Sequence, residues 1–536
     1  MTSRNAEVQN LPDELLAEIL LYLDCRSVLR CSQTCRRFHA IVTGSQGLQY
    51  IVELSLTGTL DGSPDCPQST AERLQLLRAR KRRRREFLPE PALSFSIYCP
   101  DEDYVYDFVD GIFAVQYFED ATGSDLSHLL AYDLSSTGAG RLLFHTQLNF
   151  ALVDFSIDPS RNLIVCAEVV RDHAADAQGP EVRVHLLSLD SGGRESSPEA
   201  SKGTLEVTDL ALLNADDIFL TVAGDMVAYF SQSALYVWRW TTGTTLIHWE
   251  LSTLDEWYNT FTFVSPTSFV VTESGIGCGA LHLYALPSDD TMPTSISPED
   301  EEHAQLCLPE LPTHAAILSV HTGPFSTPRT TFIPSGSVLL LFVTATNEGV
   351  EDGQIDTELI YVISLNTLLK RCLRDQSLTS ASSGQTVQKY RWSEWGPENS
   401  RLLPYVSDSL FAARGSHGSR VLMAVHKDDD RDQDMVYAYF DFADSRDRAF
   451  LDARQKDMAP SGPSARLSEM RTRSNRELFG ARGLFEEPTS TALPYYTTET
   501  NWVHGDDEEI LLGDERFVKK TNLVREHKIR LDVYDF

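Results

Sequence analysis

The sequence predicts a small all-α module followed by a large all-β domain, most simply a seven-bladed β-propeller. Apolar residues in the first fifty positions repeat with a helical period. From residue 91 onward, short alternating or β-branched stretches are separated by Gly, Pro, Ser, Asp and Asn. A recurring strand-and-turn signature in that second part indicates the propeller. We therefore predict a three-helix module at 1–50, a linker with a helical basic segment at 51–90 and a propeller-like domain at 91–536.

The segment LPDELLAEILLYL has the spacing of an amphipathic helix. Its apolar residues fall on one stripe at a 3.6-residue period: Leu15, Leu16, Ile19, Leu20 and Leu23. Two further short helices follow, one carrying Val28 and Leu29 and one from Cys35 to Val42. Units below ~40 residues rarely bury enough surface alone without a partner, a metal or disulfides. Because no metal or disulfide pattern is present, we expect another protein to complete this apolar face.

The stretch LPDELLAEILLYLDCRSVLRCSQTCRRFHAI resembles the F-box family over residues 8–50. The resemblance is carried by Leu-Pro-x-Glu-Leu-Leu, Ile-Leu and Cys-Arg-x-Phe at family-like spacing, with Phe38 where the family usually has Trp. It implies binding to a Skp-type adaptor and, through it, to a cullin of a ubiquitin ligase. The adaptor contacts that it implies are Leu11, Pro12, Leu15, Ile19, Leu20, Val28 and Leu29. The alternative is that these residues only pack against the rest of this chain.

A basic run, RARKRRRR at 78–85, ends the predicted linker helix. The functional interpretation is a nuclear localisation signal or an anion-binding patch. The alternative, which we favour, is an exposed helix that joins two domains and whose charge balances an acidic body. No aromatic residues interleave the run, so it gives little support to nucleic-acid binding.

The chain has a formal net charge of −32, and the charge is unevenly placed. Residues 1–90 carry 13 Lys/Arg and 11 Asp/Glu, so the acidic excess lies entirely in the remainder. Such a body repels nucleic acid and anionic membranes, and we expect neither as a partner. Most of this charge is expected to be solvated surface; a face for a basic partner is the alternative.

The nine cysteines are odd in number and form no CxxC pair, which is typical of reduced thiols. The polar start MTSRNAEVQN lacks the apolar core of a signal peptide, and no apolar run approaches the ~20 residues of a membrane span. We therefore expect a cytoplasmic and/or nuclear protein.

The repeat in the second part pairs an aromatic-containing strand with a polar turn, as in LLAYDLSSTG, YVWRWTTG and LHLYALPSDD. YVWRWTTG resembles the third strand and turn of a WD-type blade, without that family's structural Asp. The structural alternative is a sandwich or two β-domains. In a propeller, the C-terminal strand IRLDVYDF would close the ring by pairing with LSFSIY at 93–98. We expect the tyrosines and tryptophans to be core between blades.

Several segments read as loops or disordered inserts, the longest of which, 443–480, mixes charge with Pro, Gly and Ser. The others are 171–181, 190–204, 286–304 and 374–388. KDDDRDQD at 427–434 lacks the glycine and glutamate of an EF-hand loop, so we interpret it as an exposed hairpin tip.

No catalytic motif is present: GxSxG, HExxH, P-loop and GxGxxG patterns are all missing. Cys31 and Cys35 have helical spacing, yet no His or further Cys nearby completes a zinc set. We therefore expect no catalytic residue, metal or cofactor, and a role as a non-enzymatic adaptor that brings an unknown protein substrate to a ubiquitin ligase. A non-degradative F-box scaffold and a propeller enzyme are the alternatives.

Overall fold

The computed structural model describes most of the chain. The described residues are 11–62, 66–100, 104–118, 127–135, 140–170, 181–208, 218–251, 258–273, 279–286, 302–310, 315–323, 325, 331–346, 356–366, 368–369, 388–404, 412–426, 435–443, 477–479, 489–493, 495–505 and 507–536.

Four short helices form the N-terminal region. They are α1 (Asp13–Leu21), α2 (Cys25–Thr34), α3 (Arg36–Gly44) and α4 (Gln46–Thr57). The Asp24 side chain accepts a hydrogen bond from Ser27 N at 2.7 Å and so caps α2. The sequence predicted three helices, and α4 is an addition whose N-cap, Ser45, directly follows the last residue of α3. A shared core holds the four together, consisting of Leu16, Leu20, Val28, Ile41, Val42 and Leu48.

Three elements connect this helical region to the propeller: β1 (Thr59–Asp61), α5 (Thr70–Glu86) and β2 (Glu90–Tyr98). Helix α5 starts with a capping box, in which Ser69 N donates to Glu72 Oε2 at 2.7 Å and Glu72 N donates to Ser69 Oγ at 3.4 Å. The predicted helical basic segment is therefore present in the structure.

Blades 1 to 3 are four-stranded antiparallel sheets formed by consecutive strands. Their strands are β3 (Val105–Val109), β4 (Ile112–Phe118), β5 (Ser127–Asp133) and β6 (Arg141–Gln147); β7 (Leu152–Asp158), β8 (Leu163–Val170), β9 (Glu181–Ser188) and β10 (Thr204–Thr208); and β11 (Phe219–Ala223), β12 (Met226–Phe230), β13 (Ala234–Arg239) and β14 (Thr244–Glu250). YVWRWTTG supplies the third strand of blade 3 and its turn, as predicted.

Blades 4 to 6 have the same antiparallel core with additions. Their strands are β15 (Tyr258–Ser265), β16 (Ser268–Glu273), β17 (Ala280–Ala285) and β18 (Glu302–Cys307); β19 (Ala315–Thr322), β21 (Val338–Thr346), β22 (Asp356–Ser364) and β24 (Ser400–Pro404); and β25 (Ser416–His417), β26 (Arg420–His426), β27 (Met435–Asp441) and β30 (Tyr496–Val503). The additions are β20 (Phe332–Pro334), β23 (Gln388–Tyr390), α6 (Trp392–Asn399), β28 (Glu477–Phe479) and β29 (Thr489–Thr491).

Blade 7 is built from strands at both ends of the propeller sequence. Its strands β31 (Glu508–Leu512), β32 (Arg516–Leu523) and β33 (Lys528–Asp535) are followed by β2 as the outermost strand. The β2–β33 register runs from Glu90 opposite Asp535 to Tyr98 opposite Lys528. The predicted closure of the ring by the C-terminal strand and 93–98 is confirmed, and the described strands form seven blades.

The core lies between neighbouring blades. Blades 2 and 3 share one apolar cluster, which contains Tyr229, Tyr236, Trp238 and Trp240. The cluster between blades 7 and 1 includes Leu531, so it crosses the ring closure. The repeat's aromatic residues are thus core residues, as expected from the sequence.

Most of the predicted inserts lie outside the described residues, including 171–180, 287–301, 374–387, 444–476 and the tip 427–434. The exception is 190–204, which is an ordered loop: Ser196 forms an isolated bridge with Leu187, and the Ser197 side chain is buried. The strands flanking 427–434, β26 and β27, pair as a hairpin.

Candidate interaction sites

One face of helix α1 is apolar and exposed. Leu15 and Ile19 are each 51% exposed, Tyr22 is 89% exposed, and Pro12 at the N-cap is also exposed. Positions 12, 15, 19 and 22 fall on one side of an α-helix, because their spacings of three and four residues match its period. We call these four residues the α1 ridge. An exposed row of apolar side chains is typical of a surface that binds another protein.

The opposite face of α1 fixes the ridge in place. Leu16 and Leu20 are buried in the helical core. At the start of the helix, Arg37 on α3 pairs with Asp13 at 2.6 Å and donates to the Leu11 carbonyl oxygen at 2.5 Å. Helix α1 is therefore fixed by apolar packing on the face opposite the ridge and by the Arg37 contacts at its N-terminal end.

The seven residues that the F-box resemblance implied as contacts divide into three groups. Pro12, Leu15 and Ile19 are exposed on the ridge, while Leu11 and Leu29 are partly buried at the edges of apolar clusters. Leu20 and Val28 are 3% and 0% exposed. Both lie in the helical core behind the ridge, and their role as adaptor contacts stays a prediction. Tyr22 was missed, although its position three residues after Ile19 continues the stripe.

Helix α5 is docked against the propeller by buried charges. Around the carboxylate of Asp514, in the β31–β32 turn, lie three guanidiniums: Arg420 Nη1 at 3.3 Å, Arg80 Nη1 at 3.5 Å and Arg84 Nη2 at 3.8 Å. Burial alone would raise the pKa of Asp514, but the guanidiniums of Arg420 and Arg84 outweigh it and bring the pKa to about 2. The ionised carboxylate of Asp514 therefore helps to hold helix α5 against the propeller.

The inner face of α5 is not the exposed linker that the basic run suggested. Arg80 and Arg84 are buried, and Lys81 pairs with Glu53 of α4 at 2.6 Å. Leu74 and Leu77 share an apolar cluster with Phe332, while β1 pairs with β20 in register from Thr59–Pro334 to Asp61–Phe332. The favoured role of the run, charge balance against the acidic body, agrees with these contacts, whereas a nuclear signal remains a prediction.

The inner strands of all seven blades surround a central channel with a volume of about 640 Å³. Its lining residues come from both ends of these strands, so the channel runs along them. Side chains of one wall, including Phe230 and Phe261, are apolar, while Asp107, Asp154 and Arg414 bring charge to the other.

Arg414 ties blade 6 to blade 1 across this channel. Its Nη1 donates to the Tyr106 carbonyl oxygen, its Nη2 lies 3.7 Å from Asp107 Oδ1, and its guanidinium stands 4.2 Å from the centre of the Tyr106 ring. Behind the wall, Lys520 Nζ lies 3.1 Å from Glu509 Oε2, and the Tyr106 hydroxyl donates to Glu509 Oε1. These polar contacts hold blades 6, 7 and 1 together, in addition to the strand pairing within blade 7.

Two aspartates join neighbouring inner strands in the same way. Asp107 Oδ2 accepts from Ile157 N at 3.0 Å, and Asp154 Oδ2 accepts from Leu220 N at 2.7 Å. Each carboxylate occupies the third position of its strand and satisfies a backbone N–H of the next blade. The two differ in charge balance: Asp107 faces Arg414, whereas within the described residues Asp154 forms no ion pair. Burial raises the pKa of Asp154 to about 7.

The described residues contain no metal-binding cluster, disulfide or membrane-spanning helix. They contain no group of three or more His, Cys, Asp or Glu side chains arranged to hold a metal ion. Seven of the nine cysteines are described, and all seven are free thiols. No helix in the described part combines the length and apolarity needed to cross a bilayer.

Residues 8–46 match the family model of the F-box-like domain. The chain therefore has an F-box-like domain followed by a β-propeller, which confirms the resemblance found in the sequence. A search of curated proteins gives no match.

Among solved structures, the crystal structure of the N-terminal domain of Nup159 shares 11% identity and covers 52% of this chain and 89% of its own, with a TM-score of 0.20. A structure of a variant S. cerevisiae Dbp5 bound to Nup159, a Gle1 variant, IP6 and ADP gives 12% identity, coverages of 52% and 88%, and a TM-score of 0.22. Because these scores are low, the propeller assignment rests on the strand pairing.

Proposed function

We propose that this protein is the substrate-recognition adaptor of a Skp–cullin–F-box ubiquitin ligase, in which the α1 ridge binds a Skp-type adaptor and the propeller binds the protein substrate. The observation that carries the proposal is the exposure of Leu15 and Ile19 within residues that match the F-box-like domain. In this role the protein catalyses nothing itself; it raises the effective concentration of a substrate lysine near the ubiquitin-loaded enzyme.

The exposed ridge supports adaptor binding on energetic grounds. Burial of apolar surface contributes about 25 cal/mol per Å², so covering two half-exposed aliphatic side chains and a tyrosine adds a few kcal/mol. The chain's own helices already cover Leu16 and Leu20. No side chain of the described residues covers Leu15, Ile19 and Tyr22, so their apolar surface is available to a second molecule.

The docking of α5 supports the second half of the proposal. An adaptor must hold its substrate within reach of the ligase, and that requires a defined geometry between its two binding units. The Asp514 cluster and the β1–β20 pairing connect the helical region to blades 5, 6 and 7 at several points. A rigid connection of this kind reduces the entropy lost on positioning the substrate.

The test is an affinity capture of the full chain with a purified Skp-type adaptor. The double variant Leu15→Ala/Ile19→Ala should lose adaptor binding, whereas Leu60→Ala, which removes an equally exposed leucine (54%) outside α1, should bind like the wild type. Equal recovery of all three proteins would contradict the proposal. Co-purification of a cullin with the wild type separates a ligase subunit from a non-degradative scaffold.

A further inference from the structure

The central channel has an excess of acidic groups. Among the described residues, four acidic ones line it, namely Asp107, Asp154, Asp158 and Glu509, against one guanidinium, that of Arg414. Lys520 neutralises Glu509 from behind the wall, and Arg414 faces Asp107. His321 adds no positive charge near neutral pH, because burial lowers its pKa to about 4. The imbalance is therefore concentrated at blade 2, where Asp154 and Asp158 lie on the same inner strand.

Neither Asp154 nor Asp158 forms an ion pair within the described residues, but Asp158 accepts hydrogen bonds from Ser160 N and Oγ in its own turn. The Oδ2 of Asp154 accepts one backbone hydrogen bond from Leu220 N, and Arg414 acts on it only at longer range. Its other titratable neighbours are Asp107, which repels it, and the buried thiol of Cys166 on β8. A buried carboxylate without a cationic partner is costly, and a cation supplied from outside would offset that cost.

Blade 5 contributes Ser319 and His321 to the lining of the same channel. The Ser319 Oγ and the His321 Nε2, two residues apart on β19, are buried and have no hydrogen-bond partner within the described residues. Because both atoms have almost no accessible surface, they contribute no contact to a group in the channel. The partly exposed Phe261 side chain would contact a hydrocarbon stem, and the buried Phe230 ring stacks on Phe261.

We propose that the central channel binds a lysine or arginine side chain of a protein partner, with the cationic head at Asp154 and the apolar stem against the aromatic wall. A long aliphatic chain ending in one charge fits a cavity of about 640 Å³ with one unneutralised acidic wall. The acidic propeller favours the approach of a basic segment. This inference rests on the proposed adaptor function for the identity of that partner as a substrate.

The probes are three labelled peptides of one Gly-Ser sequence with lysine, norleucine or glutamate at the central position, titrated into the full-length protein. We expect the lysine peptide to bind at least about tenfold more tightly than the norleucine peptide, the usual size of a charge-assisted contact. Asp154→Asn keeps the acceptor for Leu220 N and should abolish this preference. Asp190→Asn, on an exposed turn, is the matched control and should leave it intact.

Titration of the wild type at pH 6 and pH 8 gives an independent measurement. Lysine keeps its charge over this interval, so binding should tighten as Asp154 loses its proton. Equal affinity for lysine and norleucine peptides, or an Asp154→Asn variant that binds like the wild type, would overturn the inference. Failure of excess free n-butylamine to displace the lysine peptide would also overturn it, because butylamine carries the same stem and charge as the lysine side chain. Adaptor capture with the same preparations shows separately whether the proposed function holds.

Discussion

Arg84 and Asp514 lie 430 residues apart in the sequence, yet the Arg84 Nη2 donates to the Asp514 carbonyl oxygen and lies 3.8 Å from its Oδ1. This contact places the basic helix of the N-terminal part against the last blade of the propeller. Arg80 and Arg420 share the same carboxylate. The arrangement makes Asp514 the central anion of the junction between the two parts of the molecule.

Replacing Asp514 should destabilise the junction strongly. Asp514→Asn leaves three buried guanidiniums without their shared anion, and removal of one member of a buried ion cluster costs about 3–5 kcal/mol. Urea denaturation would measure the loss. Arg82→Ala is the control, because Arg82 is exposed on the same helix and, within the described part of the chain, pairs with Glu86 alone, at 3.9 Å; it should change stability by less than about 0.5 kcal/mol. Similar denaturation curves for both variants would contradict this account.

The closure of the ring should depend on the packing of β33. Leu531 is fully buried between blades 7 and 1, so Leu531→Ala should cost about 2–5 kcal/mol through lost burial and a cavity. Thermal melting of the full chain checks the value. Val524→Ala, at an exposed position just before the same strand, should melt within a degree or two of the wild type. A Leu531→Ala protein as stable as Val524→Ala would show that closure does not depend on this contact.

Asp154 should make stability depend on pH. An unfolded aspartate has a pKa of about 3.9, whereas the folded value is about 7, so the folded state holds an extra proton between these values. The contribution of Asp154 to the stability of the wild type therefore falls as the pH rises from about 4 to about 7. Asp154→Asn lacks this titration. Its free energy of unfolding relative to that of the wild type should therefore be higher at pH 8 than at pH 4.5, by on the order of 1–3 kcal/mol. Melting temperatures at both pH values test this, and an unchanged difference would refute it.

The seven residues first assigned to adaptor binding should separate into stability and binding classes. Val28→Ala removes two methyl groups from the helical core and should cost about 1–3 kcal/mol. Leu15→Ala, at a half-exposed ridge position, should leave stability within about 0.5 kcal/mol while weakening adaptor capture. Denaturation and capture on the same preparations distinguish the two. If Leu15→Ala destabilised the fold as much as Val28→Ala, the ridge would be part of the core.

Local patterns were sufficient to predict much of this architecture. The helical period predicted α1, the alternating strands predicted the β domain, and the sequence of the last strand predicted its pairing with 93–98. The same period could not tell which side of α1 faces solvent, so Leu20 was grouped with Leu15 although only Leu15 is exposed. That distinction depends on where α3 and α4 pack.

The sequence alone could not predict which charged residues pair when they lie far apart in the chain. The basic run was visible as a composition, but its partner Asp514 is one acidic residue among 78 and carries no local signal. The channel was missed for the same reason, since Asp107, Asp154 and Arg414 converge only when the blades close into a ring. The repeated position of Asp107 and Asp154, each just before a phenylalanine, is the signal that could have found part of it.

Hydroxyl-radical footprinting of the full chain, with and without a Skp-type adaptor, tests the role of the α1 ridge most directly. Tyr22 is 89% exposed and reactive, and Tyr98 on β2 is the internal control at 60%. The account predicts that the adaptor sharply slows oxidation of Tyr22, Leu15 and Ile19 while Tyr98 reacts at an unchanged rate. Unaltered oxidation of the ridge at adaptor concentrations that saturate binding would contradict it.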